Sequence, residues 1–190
     1  DSIIDFEKIL PMPELLRHIG TGRTIIDGQT YDEWYFDYKE GDTKSYETVD
    51  RVLTGPEYRE LNTLEHRNWY DWACANWGTK WNAYGQCLIT MSTGTVIFSI
   101  QTAWATPKPI FDKLAKLFPT LAFRVTYADE DLGYNVGRFT YSLGSTVEEY
   151  YPEGGSNAAY EIVLEVIEGA DEWIQKNEDG DYAYVEDENW

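Results

Sequence analysis

Side chains that could serve as a nucleophile or a base are few in this chain of 190 residues. The histidines are His18 and His66, and the cysteines are Cys74 and Cys87. A nucleophile needs a base within hydrogen-bonding distance. Cys74 lies eight residues after His66 on what the pattern predicts to be one helix, which is too far for a pair. The chain also has no CxxC motif typical of zinc sites. We therefore predict no catalytic residues, no metal, no cofactor and no enzymatic activity.

Residues 77–82 form a second group with binding chemistry. Lys80 could present a charge between two indoles, and Asn82 could donate or accept a hydrogen bond. The alternative is a corner between a helix and a strand, with both tryptophans in the core and Gly78 at positive φ, and we prefer this structural interpretation. If the segment binds a ligand, the candidate residues are Trp77, Lys80, Trp81 and Asn82.

The turn at residues 177–180 partly matches a calcium-binding loop. With Gly180 at the sixth position, Asn177 and Asp179 occupy the third and fifth positions and Glu186 the twelfth. The first position would be Gln175, which cannot supply the carboxylate that the loop requires. We therefore interpret the segment as an acidic turn without a metal.

Charge is the strongest signal in the composition. Asp and Glu number 34 against 15 Lys and Arg, for a net charge of −19. Residues 147–190 hold 14 acids and one base, a net of −13, while residues 1–146 have a net of only −6. Such a field repels nucleic acid and favours basic protein surfaces, although acidity can also serve solubility alone. The candidate partner-binding residues are Glu148, Glu149, Glu153, Glu161, Glu165, Glu168, Asp171, Glu172, Glu178, Asp179, Asp181, Glu186, Asp187 and Glu188.

The elements that must position these residues follow from hydrophobic spacing and from turn residues. No apolar run approaches the roughly 20 residues that span a bilayer, so we expect no membrane association. The predicted helices are a turn at 13–17, a helix starting at 54, another from 63 to 76 with one buried apolar face, one at 107–118, and a long one capped by Asn157 whose apolar stripe runs from 159 to 174. The predicted strands are 3–10, 82–91, 95–102, 121–127, 134–143 and 182–185, with an irregular insertion at about 20–53.

This order predicts an α+β fold, in which helices cover one face of a mainly antiparallel sheet. We expect two regions without a linker between them. Residues 1–146 would form the sheet domain, and residues 147–190 an acidic helix and tail packed on it.

Three sequence runs resemble the YubB-like family of plasmid and phage proteins, which carries a ferredoxin-like domain. The resemblance covers roughly residues 3–143, and its runs are NWYDWACANWGTKWN at 68–82, QTAWATP at 101–107 followed by LFP at 117–119, and Phe6 with ILPMP at 9–13. It implies a ferredoxin-like domain and an origin in a mobile element. It implies no chemistry, because the family has no established mechanism to carry over.

Three classes of function fit these observations. The first, which we favour, is a non-enzymatic inhibitor in the host cytoplasm, whose acidic surface mimics nucleic acid and blocks the basic nucleic-acid-binding surface of a host defence protein. It would not bind nucleic acid itself. The second is a small-ligand or enzymatic domain centred on residues 77–82. The third is a structural accessory protein that is acidic only for solubility.

Overall fold

The computed structural model describes residues 2–17, 19, 24–26, 29–31, 37–38, 46–47 and 55–185. The chain divides into two compact units, Asp1–Ile110 and Phe111–Trp190. The change of charge at residue 146 falls inside the second unit, and the assignment of the two regions as domains stays a prediction.

The first unit begins with two short helices, α1 (Phe6–Ile9) and α2 (Glu14–Arg17). The strand predicted at residues 3–10 is therefore wrong, whereas the helical turn predicted at 13–17 is confirmed. The Asp5 side chain accepts a hydrogen bond from the Glu7 backbone N–H at 3.0 Å, which caps α1. This local capping outweighs the β propensity of the two isoleucines that precede it.

The predicted irregular insertion contains two short antiparallel pairs. β1 (Thr24–Ile26) pairs with β2 (Gln29–Tyr31), and β3 (Asp37–Tyr38) pairs with β4 (Tyr46–Glu47). The other residues of the insertion, and His18, lie outside the described part of the chain.

Two longer helices follow, α3 (Gly55–Leu61) and α4 (Trp69–Asn76). The predicted helix from residue 63 begins later than expected because Asn68 is its cap. The Asn68 side-chain oxygen accepts from the Asp71 backbone N–H at 2.8 Å, as an N-cap residue does. Trp72 and Ala73 on α4 are buried, in agreement with the predicted apolar face.

β5 (Tyr84–Ser92) and β6 (Thr95–Gln101) form the predicted antiparallel hairpin. Gly94 has a φ of +86° in its turn, a conformation that glycine adopts without strain. α5 (Lys108–Leu117) then carries the chain from the first unit into the second, close to the predicted bounds.

The second unit contains a three-stranded antiparallel sheet of β7 (Phe123–Tyr127), β8 (Gly137–Ser142) and β9 (Ser145–Tyr150). Phe139 and Tyr141 point to one face and are buried, with the Phe139 ring centroid 6.0 Å from that of Phe111 on α5. Strand β9 is not among the predicted strands. The turn before it, Leu143-Gly144, has positive φ at both residues, as a two-residue hairpin turn requires.

α6 (Asn157–Val166) leads into a short 3₁₀ helix (Ala170–Glu172) and a hairpin of β10 (Ile174–Lys176) and β11 (Tyr182–Tyr184). The predicted single helix to residue 174 is wrong, because Gly169 adopts a left-handed φ of +78° and interrupts it. The helix cap is Ser156, whose hydroxyl accepts from the Ala159 backbone N–H at 3.2 Å, and not the predicted Asn157. The predicted tail strand is confirmed.

Every strand pair in the described residues is antiparallel, which confirms an α+β fold with antiparallel sheets. One core cluster of the second unit is formed by buried residues of α6, the 3₁₀ helix and β10, together with the residue before β8: Val136, Ala159, Tyr160, Ile162, Val163, Ala170 and Ile174. In the described part of the chain, no helix has both the length and the apolar character needed to cross a membrane.

Candidate functional site

Trp77, the first residue of the candidate ligand corner, is buried. Its indole N–H donates to the Leu10 backbone oxygen at 2.9 Å. Its ring meets those of Phe6 and Trp72 edge to face, at centroid distances of 6.0 and 5.4 Å. Trp77 thus joins the first helix of the unit to α4, which is the structural role that the alternative interpretation assigned to it.

Asn82, the last residue of the corner, is also occupied by the fold. Its side-chain oxygen accepts from the backbone N–H groups of Phe6 and Ala83, at 2.9 Å each. Its amide nitrogen donates to Asp5 Oδ1 at 2.8 Å. The amide therefore fastens the start of the chain to the beginning of β5, and its polar atoms already have partners.

Lys80 and Trp81 lie at the surface, so the interpretation that placed Trp81 in the core is wrong. The Trp81 side chain is 47% exposed. The Lys80 ammonium lies 4.2 Å from the centre of the Trp81 ring and 3.1 Å from that of Trp104, which is 71% exposed. Sequence reasoning did not select Trp104, and the structure adds it to Lys80 and Trp81.

The acidic residues between positions 147 and 185 are all exposed. They lie on β9 and in the loop after it, on the outer side of α6 and in the turn after it, in the 3₁₀ helix and in the β10–β11 turn, while the apolar side of α6 enters the core. Charged side chains rarely bury without a partner, so this arrangement agrees with elementary solvation. Glu186, Asp187 and Glu188 lie outside the described residues. The exposed residues are Glu148, Glu149, Glu153, Glu161, Glu165, Glu168, Asp171, Glu172, Glu178, Asp179 and Asp181.

Most of these carboxylates remain available to a partner. Asp171, Glu172 and Asp179 make no side-chain hydrogen bond or ion pair within the described part of the chain. Glu165 forms an ion pair with Arg138, and so contributes less charge to the surface than the sequence suggests. Lys176 is the basic residue of this acidic segment, and its ammonium lies over the Tyr182 ring, 4.8 Å from the ring centroid.

The acidic turn at residues 177–180 is held in place by two asparagines. The Asn177 side-chain oxygen accepts from the backbone N–H groups of Asp179 and Asp181, at 3.0 and 2.9 Å. The Asn157 side chain accepts from the Tyr182 N–H at 2.8 Å and donates to Asp181 Oδ1 at 3.0 Å. Because the Asn177 oxygen caps the turn, it is not free to serve as the calcium ligand considered above. Among the described residues, no three His, Cys, Asp or Glu side chains are placed to hold a metal ion.

A polar cleft of about 260 Å³ lies on the face of the three-stranded sheet opposite Phe139. Arg138 contributes one guanidinium nitrogen to the ion pair with Glu165, while its Nε is buried without a hydrogen-bond partner in the described structure. Exposed ion pairs of this kind contribute about 0–1 kcal/mol. The cleft places two guanidinium groups beside two carboxylates within the negative surface. Its lining residues are Arg124, Thr126, Arg138, Thr140, Glu148, Tyr150 and Glu165.

Two tyrosine hydroxyls near the three-stranded sheet have raised pKa values. Burial and the hydrogen bond from Tyr141 to Asp112 Oδ1, at 2.5 Å, raise the pKa of Tyr141 well above its usual range. Burial, together with the nearby Tyr151 and Glu149, raises the pKa of Tyr127. These groups stay protonated and neutral at physiological pH, so they contribute packing and hydrogen bonds and no charge.

Cys74 is exposed on α4. The electrostatic influence of this thiol and a hydrogen bond with it raise the pKa of Tyr70, one turn earlier. A phenol whose pKa is raised is a poor base, because a general base works best with a pKa near the operating pH. This neighbour does not provide the base that the cysteine would need as a nucleophile.

Comparison with protein families finds one matching model. The model describes a ferredoxin-like domain in Api92-like protein and matches residues 76–175, a span that begins at the end of α4 and ends in β10. No curated protein and no solved structure matches the chain.

Proposed function

The chain belongs to the family of ferredoxin-like domains in Api92-like proteins, and we propose that this member binds another protein. The acidic surface of the second unit binds a basic surface of the partner. One observation carries the proposal: every acidic residue that the structure describes between positions 147 and 185 is exposed. The proposed partner normally uses the same basic surface to bind nucleic acid.

Charge complementarity is the physical basis of this proposal. Lys and Arg groups that neutralise a phosphate backbone can form the same charge-assisted hydrogen bonds with carboxylates. The acids here lie on ordered elements, and the turn that holds Asp179 and Asp181 is fixed by Asn157 and Asn177. A surface ordered before binding loses less conformational entropy on association than a flexible acidic tail would.

The finer proposal is that the protein is an inhibitor encoded by a plasmid or phage, acting in the host cytoplasm on a nucleic-acid-binding defence protein. Its support is the resemblance of residues 3–143 to a plasmid and phage family, together with the one-sided charge of the C-terminal segment. An inhibitor of this kind needs no catalytic residues, because occupying the basic surface is sufficient to exclude nucleic acid.

The test is capture of host proteins on the immobilised chain, with washes at low and high salt and elution with duplex DNA. We expect a captured protein that DNA displaces and that high salt releases, because added ions screen interactions between exposed charges. Neutralising three unpaired acids, in Asp171→Asn, Glu172→Gln and Asp179→Asn combined, should weaken binding of that protein about tenfold and reduce its salt dependence.

A matched control neutralises three exposed acids outside the acidic segment, in Glu60→Gln, Glu65→Gln and Glu130→Gln combined. This variant has the same net charge as the test variant, so a general effect of charge would weaken both equally. Equal weakening, or capture that neither salt nor DNA disturbs, would contradict the proposal.

A further inference from the structure

Two loops of the first unit are locked together next to the helix-to-strand corner. Thr79 is 2% exposed, and its hydroxyl donates to the Ala103 backbone oxygen at 2.8 Å. Gly78, at a φ of +82°, lies so close to Pro109 that an added Cβ would come within 2.7 Å of its ring. The loop after α4 and the loop before α5 thus form one fixed support.

This support presents three side chains at the surface, which we call the Lys80 platform: Lys80, Trp81 and Trp104. The nearby Trp72 and Trp77 are buried. The indoles of Trp81 and Trp104 therefore remain outside a core that lies close to them. Aromatic rings are large apolar surfaces, and contiguous exposed apolar surface marks a binding site more often than chance.

The backbone of Trp104 supports the same interpretation. Its φ is +65°, a left-handed conformation that crowds Cβ against the following carbonyl oxygen and that bulky residues rarely adopt. A residue held in this conformation while 71% exposed does not recover the cost by burying its side chain. Strain of this kind is concentrated at functional sites.

Lys80 adds a positive charge with no carboxylate partner. Within the described residues it forms no ion pair and no hydrogen bond, although acids outnumber bases by 34 to 15 in the whole chain. Its ammonium contacts the faces of two indoles instead. The N–H groups of this ammonium are therefore available to an anion that lies beside the rings.

We propose that the Lys80 platform binds a nucleoside monophosphate. The base would stack on an exposed indole, since nucleobases stack on aromatic side chains without regard to sequence. The phosphate would meet the Lys80 ammonium. A single nucleotide carries far less negative charge than a polynucleotide, which a chain of net charge −19 repels. This site lies in the first unit and is independent of the acidic surface proposed above.

The experiment titrates the ¹⁵N-labelled full chain with AMP, GMP, CMP and UMP separately and follows the indole N–H resonances by NMR, assigned with single Trp→Phe variants. We expect the Trp81 and Trp104 resonances to shift together while that of Trp173, which is also exposed, stays in place. Lys80→Ala should weaken binding about tenfold, the size of loss expected for a charge-assisted contact, whereas Lys116→Ala on α5 should not change it.

Inorganic phosphate alone and the free nucleosides separate the two halves of the ligand. We expect phosphate to leave the indole resonances unmoved and nucleosides to bind more weakly than the nucleotides, with an affinity that Lys80→Ala does not reduce. A single-stranded oligonucleotide that binds while the mononucleotides do not would overturn the proposal. So would unmoved indoles at millimolar nucleotide, or equal nucleotide affinity in Lys80→Ala. Lys80→Gln, with an unchanged near-ultraviolet circular dichroism spectrum, repeats the test if the alanine variant fails to fold.

Discussion

Replacing Trp104 tests the strain at the Lys80 platform directly. Trp104→Gly and Trp104→Ala both remove the indole, so the loss of its packing and of its contact with Lys80 cancels when the two variants are compared. The remaining difference in stability between the two variants comes from the backbone conformation at this position, with its φ of +65°. Alanine there suffers a steric cost of about 1–2 kcal/mol, whereas the greater freedom of glycine in the unfolded chain costs about 0.5–1 kcal/mol.

The glycine variant should therefore be the more stable of the two by about 0.5–1 kcal/mol. In urea, with a slope of about 2 kcal/mol per molar, its midpoint should be higher by about 0.25–0.5 M. Ala75→Gly on the exposed side of α4 is the control, because glycine there should destabilise by about 1 kcal/mol relative to the native alanine. A glycine variant no more stable than Trp104→Ala would refute the claim that this position is strained.

Three further predictions concern the fold. Asn82→Ala removes the acceptor of the buried Phe6 N–H and should lower the free energy of unfolding by about 1–3 kcal/mol in urea melts; a loss below about 0.5 kcal/mol would contradict the role given to this amide. The pKa of Tyr141 is raised in the folded protein above its unfolded value of about 10, so the free energy of unfolding should fall as the pH rises above about 10. Urea melts at rising pH should show a shallower fall for Tyr141→Phe than for the unmodified chain. Parallel pH profiles of the two proteins would count against this prediction. Leu143→Gly, at a φ of +51° and 85% exposure, should stabilise by about 0.5–1 kcal/mol, and a lower thermal midpoint would disprove this.

The elements that sequence patterns predicted well are those whose signals are local. The β5–β6 hairpin follows from two apolar β-branched runs around Gly94, and α5 follows from an apolar face after a proline. Strand β9 has no such signal, because all six of its residues are exposed and it carries two glutamates. It is a strand because β8 provides hydrogen-bonding partners, and that information is not local.

The end of α6 shows how a true pattern can predict the wrong backbone. Most residues at helical spacing up to Ile174 do enter one core, although Val166 and Trp173, which belong to the same stripe, are 40% and 59% exposed. The last of them reach it from a 3₁₀ helix and a strand, after the left-handed turn at Gly169. The stripe therefore identifies most of the buried side chains, whereas the path of the backbone depends on a single glycine in the middle of it.

The candidate sites differ in the same way. Acidic side chains are exposed by default because burying a charge is costly, so the acidic surface could be predicted from composition. An indole can be buried or exposed, and the expectation that aromatic rings pack in a core placed Trp81 there. The exposed fractions of Trp81 and Trp104, 47% and 71%, show that both rings remain outside the core.

Salt separates binding by the acidic surface from a trivial effect on folding, because the two respond with opposite signs. The exposed carboxylates of the second unit repel one another, and added salt screens that repulsion and should raise the free energy of unfolding. The same salt weakens attraction to a basic partner. Partner release at a salt concentration where urea melts show an equal or more stable fold is therefore a loss of binding and not of structure. If high salt instead lowered the unfolding midpoint in urea, repulsion among these acids would not be significant, and the salt-dependent release would lose its value as evidence for a charged interface.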